Sequence, residues 1–310
     1  MTTTPIQLVP QYKEMIWGGD RLRTLFGRNI PSNKTGESWE IHSDNQILGT
    51  EKTLRDIAKD PTIVGSKMAA LDEFPLLVKI ITAEDDLSIQ VHPDDAYAQA
   101  VEKKPYGKTE CWYVLDAPVD GQLIIGLSPE IQTKEALTAV IKEGRISEAL
   151  QYLPIKKGDF FYIPAGLVHA ITKGVTILEV QQTSDITYRI YDYDRMGIDG
   201  KPRELHVDKS IDVIKLDPVV NPTKGTTTGH VTTFVSNDYF SVERHVISGK
   251  VPLHLSADSA SILSCTKGNV TLHFGERTHQ LTYGDHLLLP VGMVDCAMSS
   301  QDGEIVLSYL

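Results

Sequence analysis

No CxxC pair and no even set of cysteines occurs in this 310-residue chain; its three cysteines are Cys111, Cys265 and Cys296. That scarcity excludes a disulfide framework and a thiolate zinc site. No apolar run approaches the roughly 18 residues needed to span a bilayer. The opening MTTTPIQLVP lacks the basic-then-apolar pattern of a secretory leader. A reducing cytoplasm is the expected setting, with no membrane partner. Positive charge is also short, since 30 Lys and Arg against 41 Asp and Glu leave a net charge of −11. Nucleic acid is therefore disfavoured as a partner, and a phosphorylated metabolite would need a local basic pocket.

Helical periodicity is thin as well. The clearest stretch is 133–153, where Leu137, Val140 and Ile141, then Ile146, Leu150 and Leu153, recur at helical spacing. Thr133 is placed to cap its start and Gly144 to break it in two. Shorter helices are expected over 53–60 and 94–103. What dominates is short β-like runs broken by turn residues: PLLVKIITA (75–83), LSIQVH (87–92), CWYVLD (111–116), QLIIGL (122–127), DFFYIP (159–164), VTILEVQQ (175–182), HVTTFV (230–235), FSVERHVI (240–247), NVTLHF (269–274) and HLLLP (286–290). Many short strands at close spacing predict an all-β protein of sandwiches or barrels.

The segment 215–230 is rich in Pro, Gly and Thr and has no periodicity, which marks a linker. We expect one domain over 1–218, containing the helical segment near 133–153, and a smaller one over 219–310. An internal repeat supports two copies of one unit. GDFFYIPAGLVHA (158–170) and GDHLLLPVGMVDC (284–296) share Gly, Asp, Pro, Gly and Val at identical spacing, and His169 in the first corresponds to Asp295 in the second.

The first copy reads G-x5-P-x-G-x2-H, which resembles the second sequence motif of the cupin family of small β-barrels, on Gly158, Pro164, Gly166 and His169. That resemblance implies two cupin-like jelly-roll barrels and makes His169 a metal ligand. Alone, such a histidine is more often an ordinary core residue, so its partners matter. Gln90 and His92 lie two apart in a strand and so share one face. An amide and an imidazole on a buried face cost free energy unless both are satisfied, and a metal satisfies both. Glu110 opens the next buried-looking strand and supplies an anionic ligand. Cupins commonly carry His-x-His where Gln90 and His92 stand. Two His, one Glu and a weak amide oxygen leave room for water or substrate, as catalytic zinc sites do; Mn²⁺ and Fe²⁺ also suit such N/O donors. In the second copy Asp295 replaces the histidine and 253–265 holds no comparable set. No metal is expected there, and stability, closure of the cavity or self-association is its role. His42, His206, His245, His254 and His273 lack ligand-like neighbours, and Trp17, Trp39 and Trp112 read as core or cavity wall.

The ordered set IQVHPDDAYA (89–98), GKTECWYVL (107–115), GDFFYIPAGLVHAI (158–171) and ILEVQQTSDITYRIYDYDR (177–195), with WGGDRL (17–22) and GESWEIHSD (36–44), resembles the type I mannose-6-phosphate isomerase family in its short bacterial form. The family's ligands, a Gln, two His and a Glu, fall on Gln90, His92, Glu110 and His169. The resemblance implies one zinc ion per chain. It also implies aldose–ketose isomerisation of mannose 6-phosphate and fructose 6-phosphate through an enediol, and a catalytic arginine at Arg189. Lys108, two before Glu110, is a candidate for holding phosphate or joining proton transfer. Glu179 is a candidate base, because burial can raise a carboxylate pKa. If 179–189 is one strand, Glu179, Asp185 and Arg189 share a face. The implied partner is a sugar phosphate, and a homodimer is compatible with the charge. The contrasting reading is a catalytically idle cupin that binds a sugar phosphate.

Overall fold

In the computed structural model of the chain, residues 4–216 and 222–310 are described. The expected boundary at 218/219 lies outside them. The chain forms two compact units: one comprises Met1–Gln11, Trp39–Lys79 and Lys224–Leu310, the other Tyr12–Ser38 and Ile80–Thr223. Short strands dominate, with a few short helices, in the expected all-β, cupin-like class. No helix among the described residues is long and apolar enough to cross a membrane.

The strands up to residue 191 are β1 (Gln11–Gly19), β2 (Thr35–Ile41), β3 (Leu76–Thr82), β4 (Ile89–Val91), β5 (Glu110–Asp116), β6 (Gln122–Leu127), β7 (Leu150–Pro154), β8 (Phe160–Ile163), β9 (His169–Ile171), β10 (Thr176–Gln182) and β11 (Tyr188–Tyr191). They make a six-stranded sheet, ordered β1-β2-β3-β10-β5-β8, and a five-stranded sheet, ordered β11-β4-β9-β6-β7. Strand alternation decides what each face buries. Leu123, Ile125 and Ile171 of one sheet join Trp112, Val114, Phe161, Ile163 and Ile177 of the other in one apolar cluster. The opposite face of the five-stranded sheet, carrying Ile89, Val91, Ile124 and Ala170, packs with Leu137, Ile146, Ala149 and Ile214. Both faces of these strands are therefore apolar, so any polar residue among them stands out.

The eight strands from Thr226–Thr228 to Cys296–Tyr309 form one sheet with a core of its own, built on Leu263, Leu272, Leu287, Leu289, Ile305 and Leu307. The internal repeat is visible here. Gly158 and Gly284 take φ of +89° and +91°, and Gly166 and Gly292 take +90° and +79°. At Gly166 a Cβ would lie 2.8 Å from Val213 O, so the bend demands glycine. Asp159 and Asp285 each accept a main-chain N–H three residues back, from Lys156 and Thr282. The copies part only after the second glycine. Val168 is buried and His169 begins β9, whereas Val294 is 69% exposed and Asp295 takes a left-handed φ of +51°.

Three expectations need correction. The helix over 133–153 is a helix only over Lys134–Lys142, capped by Thr133, which accepts the Ala136 N–H at 3.1 Å. After Gly144 comes a 3₁₀ turn, Ile146–Ala149, and then 150–153 pairs as β7 with β6, because sheet pairing outweighs a weak apolar period. Residues 53–60 form turns rather than a helix, closed by three-residue main-chain bonds from Asp56 N–H to Thr53 O and from Ile57 N–H to Leu54 O. Finally, 179–189 is not one strand: the chain leaves β10 in one sheet and enters β11 in the other, and Asp185 between them is exposed.

Candidate metal centre

His169 begins β9, Glu110 begins β5, and His92 follows directly on β4. Each thus stands at a strand end, and all three lie in the unit that includes Ile80–Thr223. Gln90 pairs with His169 across β4 and β9, so the two project to the same side of that sheet. His92, Glu110 and His169 are 1%, 0% and 1% exposed.

The two imidazoles are oriented alike. His92 Nδ1 lies 2.8 Å from Ile186 O and His169 Nδ1 lies 2.8 Å from Leu167 O. A carbonyl oxygen only accepts, so each Nδ1 carries its ring's proton and each Nε2 is left with a lone pair. Those two Nε2 atoms face one another at 3.1 Å. Glu110 adds Oε2 at 3.7 Å from His92 Nε2 and Oε1 at 3.5 Å from His169 Nε2. Among the described residues these three form the group of His, Cys, Asp and Glu side chains able to hold a metal ion. The facing nitrogens and the buried carboxylate, which the Lys108 ammonium also contacts, make a donor set suited to a cation. Main-chain carbonyls on the outer ring nitrogens are the usual means of fixing metal-ligating histidines. Burial, with Lys108 nearby, pushes the His169 pKa down to about 3, which keeps its ring neutral and its lone pair available.

Gln90 reaches the group through its amide, with Nε2 3.3 Å from His169 Nε2. A half-turn of the amide brings Oε1, the atom a metal requires, to that place. Lys108 is buried here too. Its ammonium is 3.0 Å from His92 Nε2 and bonds to Glu110 Oε2. Glu179 pairs with Trp112 across β10 and β5 and accepts the Trp112 indole N–H at 3.0 Å. The indole also meets the His169 ring edge-on at 5.3 Å. Trp112, read from sequence as wall, thus links Glu179 to His169; its spacing of two from Glu110 was the available signal. Arg189 pairs with Gln90 across β11 and β4. Its guanidinium makes no ion pair with a described carboxylate, and its Nε is buried without a hydrogen-bond partner. Burial and the neighbouring Arg203 push its pKa below the ordinary arginine value. Asp185 is not part of the group.

Comparison with known proteins places this geometry. Residues 6–117 match the family described as phosphomannose isomerase type I, catalytic domain, and residues 230–310 match mannose-6-phosphate isomerase, cupin domain. Mannose-6-phosphate isomerase ManA of Bacillus subtilis (strain 168) is 40% identical over 323 residues, covering 100% of both chains. The chain belongs to the type I mannose-6-phosphate isomerase family. Another relative of the family, mannose-6-phosphate isomerase of Streptococcus mutans, is 41% identical over 92% of each chain. The crystal structure of the mannose 6-phosphate isomerase from Bacillus subtilis superposes with a TM-score of 0.92 at 36% identity, over 99% of this chain and 100% of that one. Membership of this isomerase family makes the chain an enzyme and its fold a cupin fold.

Proposed function

We propose that this enzyme interconverts mannose 6-phosphate and fructose 6-phosphate at a divalent ion, zinc, held by His92, His169, Glu110 and the Gln90 amide oxygen. The observation that carries the reading is the pair of Nε2 lone pairs facing each other beside Glu110 in a buried site. Bound there, the ion supplies Lewis-acid stabilisation of the sugar's O1 and O2 oxygens as negative charge develops.

The chain's own residues divide the remaining work. Isomerisation moves one proton between C1 and C2 and another between O1 and O2. Glu179, buried and held by the Trp112 N–H, is placed to exchange the carbon-bound proton. The Lys108 ammonium, lodged between His92 and Glu110, is placed to deliver and recover the oxygen-bound proton. Arg189 offers an unpaired guanidinium whose several donors suit an enediolate or a phosphate. A cytoplasmic setting fits a sugar-phosphate substrate and the free thiols Cys111, Cys265 and Cys296.

The test is turnover of mannose 6-phosphate in D₂O by zinc-loaded protein. The reading expects fructose 6-phosphate carrying deuterium at C1, as an enediol that exchanges its proton requires. Binding of the sugar phosphate without turnover would leave the idle binding protein instead.

A further inference from the structure

The proposed ligands come from two different sheets, and this raises the question of what fixes their spacing. His92 directly follows β4, whereas Glu110 opens β5 and Lys108 lies two residues before it. Three successive main-chain N–H groups ahead of Glu110 are each held by a partner. Gly107 N–H donates to Asp95 Oδ1 at 2.7 Å, Lys108 N–H to Pro93 O at 2.9 Å, and Thr109 N–H to Gln182 Oε1 at 2.8 Å. Pro93 directly follows His92 in the chain, and Asp95 comes two residues later. Gln182 is the last residue of β10, and its own N–H reaches Thr109 O at 3.1 Å. The two side chains are themselves joined, because Gln182 Nε2 donates to the same Asp95 Oδ1 at 2.9 Å.

The result is a closed strap: the His92 segment, Asp95, Gln182, and the Lys108–Glu110 segment. The Gln182 amide has one orientation that works. Turned over, it would set a donor against the Thr109 N–H and an oxygen against the Asp95 carboxylate. Gln182 is buried, at 6% exposure, where a lost partner is not replaced by water. Side chains arranged this way determine where a main-chain segment sits, and a shift of about 1 Å at a reacting group can cost 100-fold in rate.

We propose that Asp95 and Gln182 are positioning residues that set the distance from His92 to Lys108 and Glu110. The proposal rests on the reading of those three residues as the working site. Asp95 is half-buried and outside the apolar clusters, so Asp95→Ala keeps the packing and removes only the acceptor. Asp95→Asn keeps an acceptor oxygen. Two readouts are taken on the full-length protein: kcat and KM for mannose 6-phosphate, and retention of zinc against a chelator, with the melting temperature followed alongside.

Asp95→Ala is expected to lower kcat about tenfold or more, with KM within threefold, and to weaken zinc retention by ~10-fold. Asp95→Asn is expected to stay within threefold of wild type. Gln182→Met, which preserves volume and loses both hydrogen bonds, is expected to match Asp95→Ala. The double variant should fall no further than either single one, as members of a unit do. Wild-type kcat and zinc retention in Asp95→Ala, with at most a lower melting temperature, would overturn the proposal. So would Asp95→Asn falling as far as Asp95→Ala. A wild type that retains zinc but does not turn over counts against the isomerase reading alone, and zinc retention in the variants still decides the strap.

Discussion

His92 Nε2 and His169 Nε2 face each other at 3.1 Å while the opposite nitrogen of each ring is bound to a main-chain carbonyl. The rings cannot relieve this opposition by exchanging tautomers, because Ile186 O and Leu167 O accept and never donate. Replacing either ring therefore removes half of a fixed donor pair. His169→Ala is expected to lower zinc affinity by more than the ~10–100-fold that losing an outer partner costs, and to abolish turnover. Metal content after dialysis against a chelator, measured with the rate, checks it. Trp112 loses its edge contact with the same ring, so a fall in stability is expected as well.

Lys108 and Glu179 are separated by their kinetics. Lys108→Met and Glu179→Gln are each expected to reduce kcat by about 10²–10⁴ with little change in KM, as groups that move protons do. In D₂O they should differ: Glu179→Gln loses deuterium incorporation at C1 in step with turnover. Lys108→Met is expected to retain slow exchange at carbon, because the role proposed for it is at oxygen. Equal loss of both signals in the two variants would merge the two roles.

The second copy of the repeat offers a control. Asp295 occupies the position of His169, yet its backbone is left-handed and the preceding Val294 is exposed. Installing histidine there restores the residue type without the strand that aims it. Asp295→His is expected to leave the metal content at one equivalent per chain, measured by elemental analysis. A second tightly held equivalent would show that residue type alone was lacking.

Stability carries a pH signature at Asp192. Its carboxylate accepts from Arg203 at 2.7 and 2.5 Å and from Arg195 at 2.8 Å. Burial alone would raise its pKa, but the two guanidinium groups outweigh it and hold the carboxyl below its usual range. The folded state then binds fewer protons than the unfolded one, so this contribution is complete above the unfolded value of about 4 and is lost as pH falls through the lower folded value. Asp192→Asn is expected to cost about 1.5–3 kcal/mol at neutral pH, with the gap to wild type closing in acid. Denaturant unfolding at pH 7 and pH 3 measures it.

How far the sequence alone leads can be argued from particular residues. The bend that delivers His169 was readable because its glycines need positive φ and its spacing occurs twice; local turn chemistry leaves a local trace. The shared face of Lys108 and Glu110 was readable by counting in twos. Parity counted from Glu179 does not carry to Arg189, because the chain changes sheets after Gln182; Arg189 instead pairs with Gln90, a contact nearly a hundred residues away that no period records. The same holds for residues 150–153, where an apolar rhythm suited helix and pairing with β6 chose strand. The grouping of Trp39–Lys79 with the C-terminal strands also rests on distant contacts and left no compositional mark.

The central claim is a buried His–His–Glu centre that works only with its metal. The most direct measurement strips the protein with a chelator and titrates zinc back while following conversion of mannose 6-phosphate to fructose 6-phosphate. The stripped protein should be inactive, activity should rise linearly and level off at one equivalent of zinc, and His92→Ala should show no such rise. Full activity in the stripped protein, or a rise that survives His92→Ala, would contradict the account.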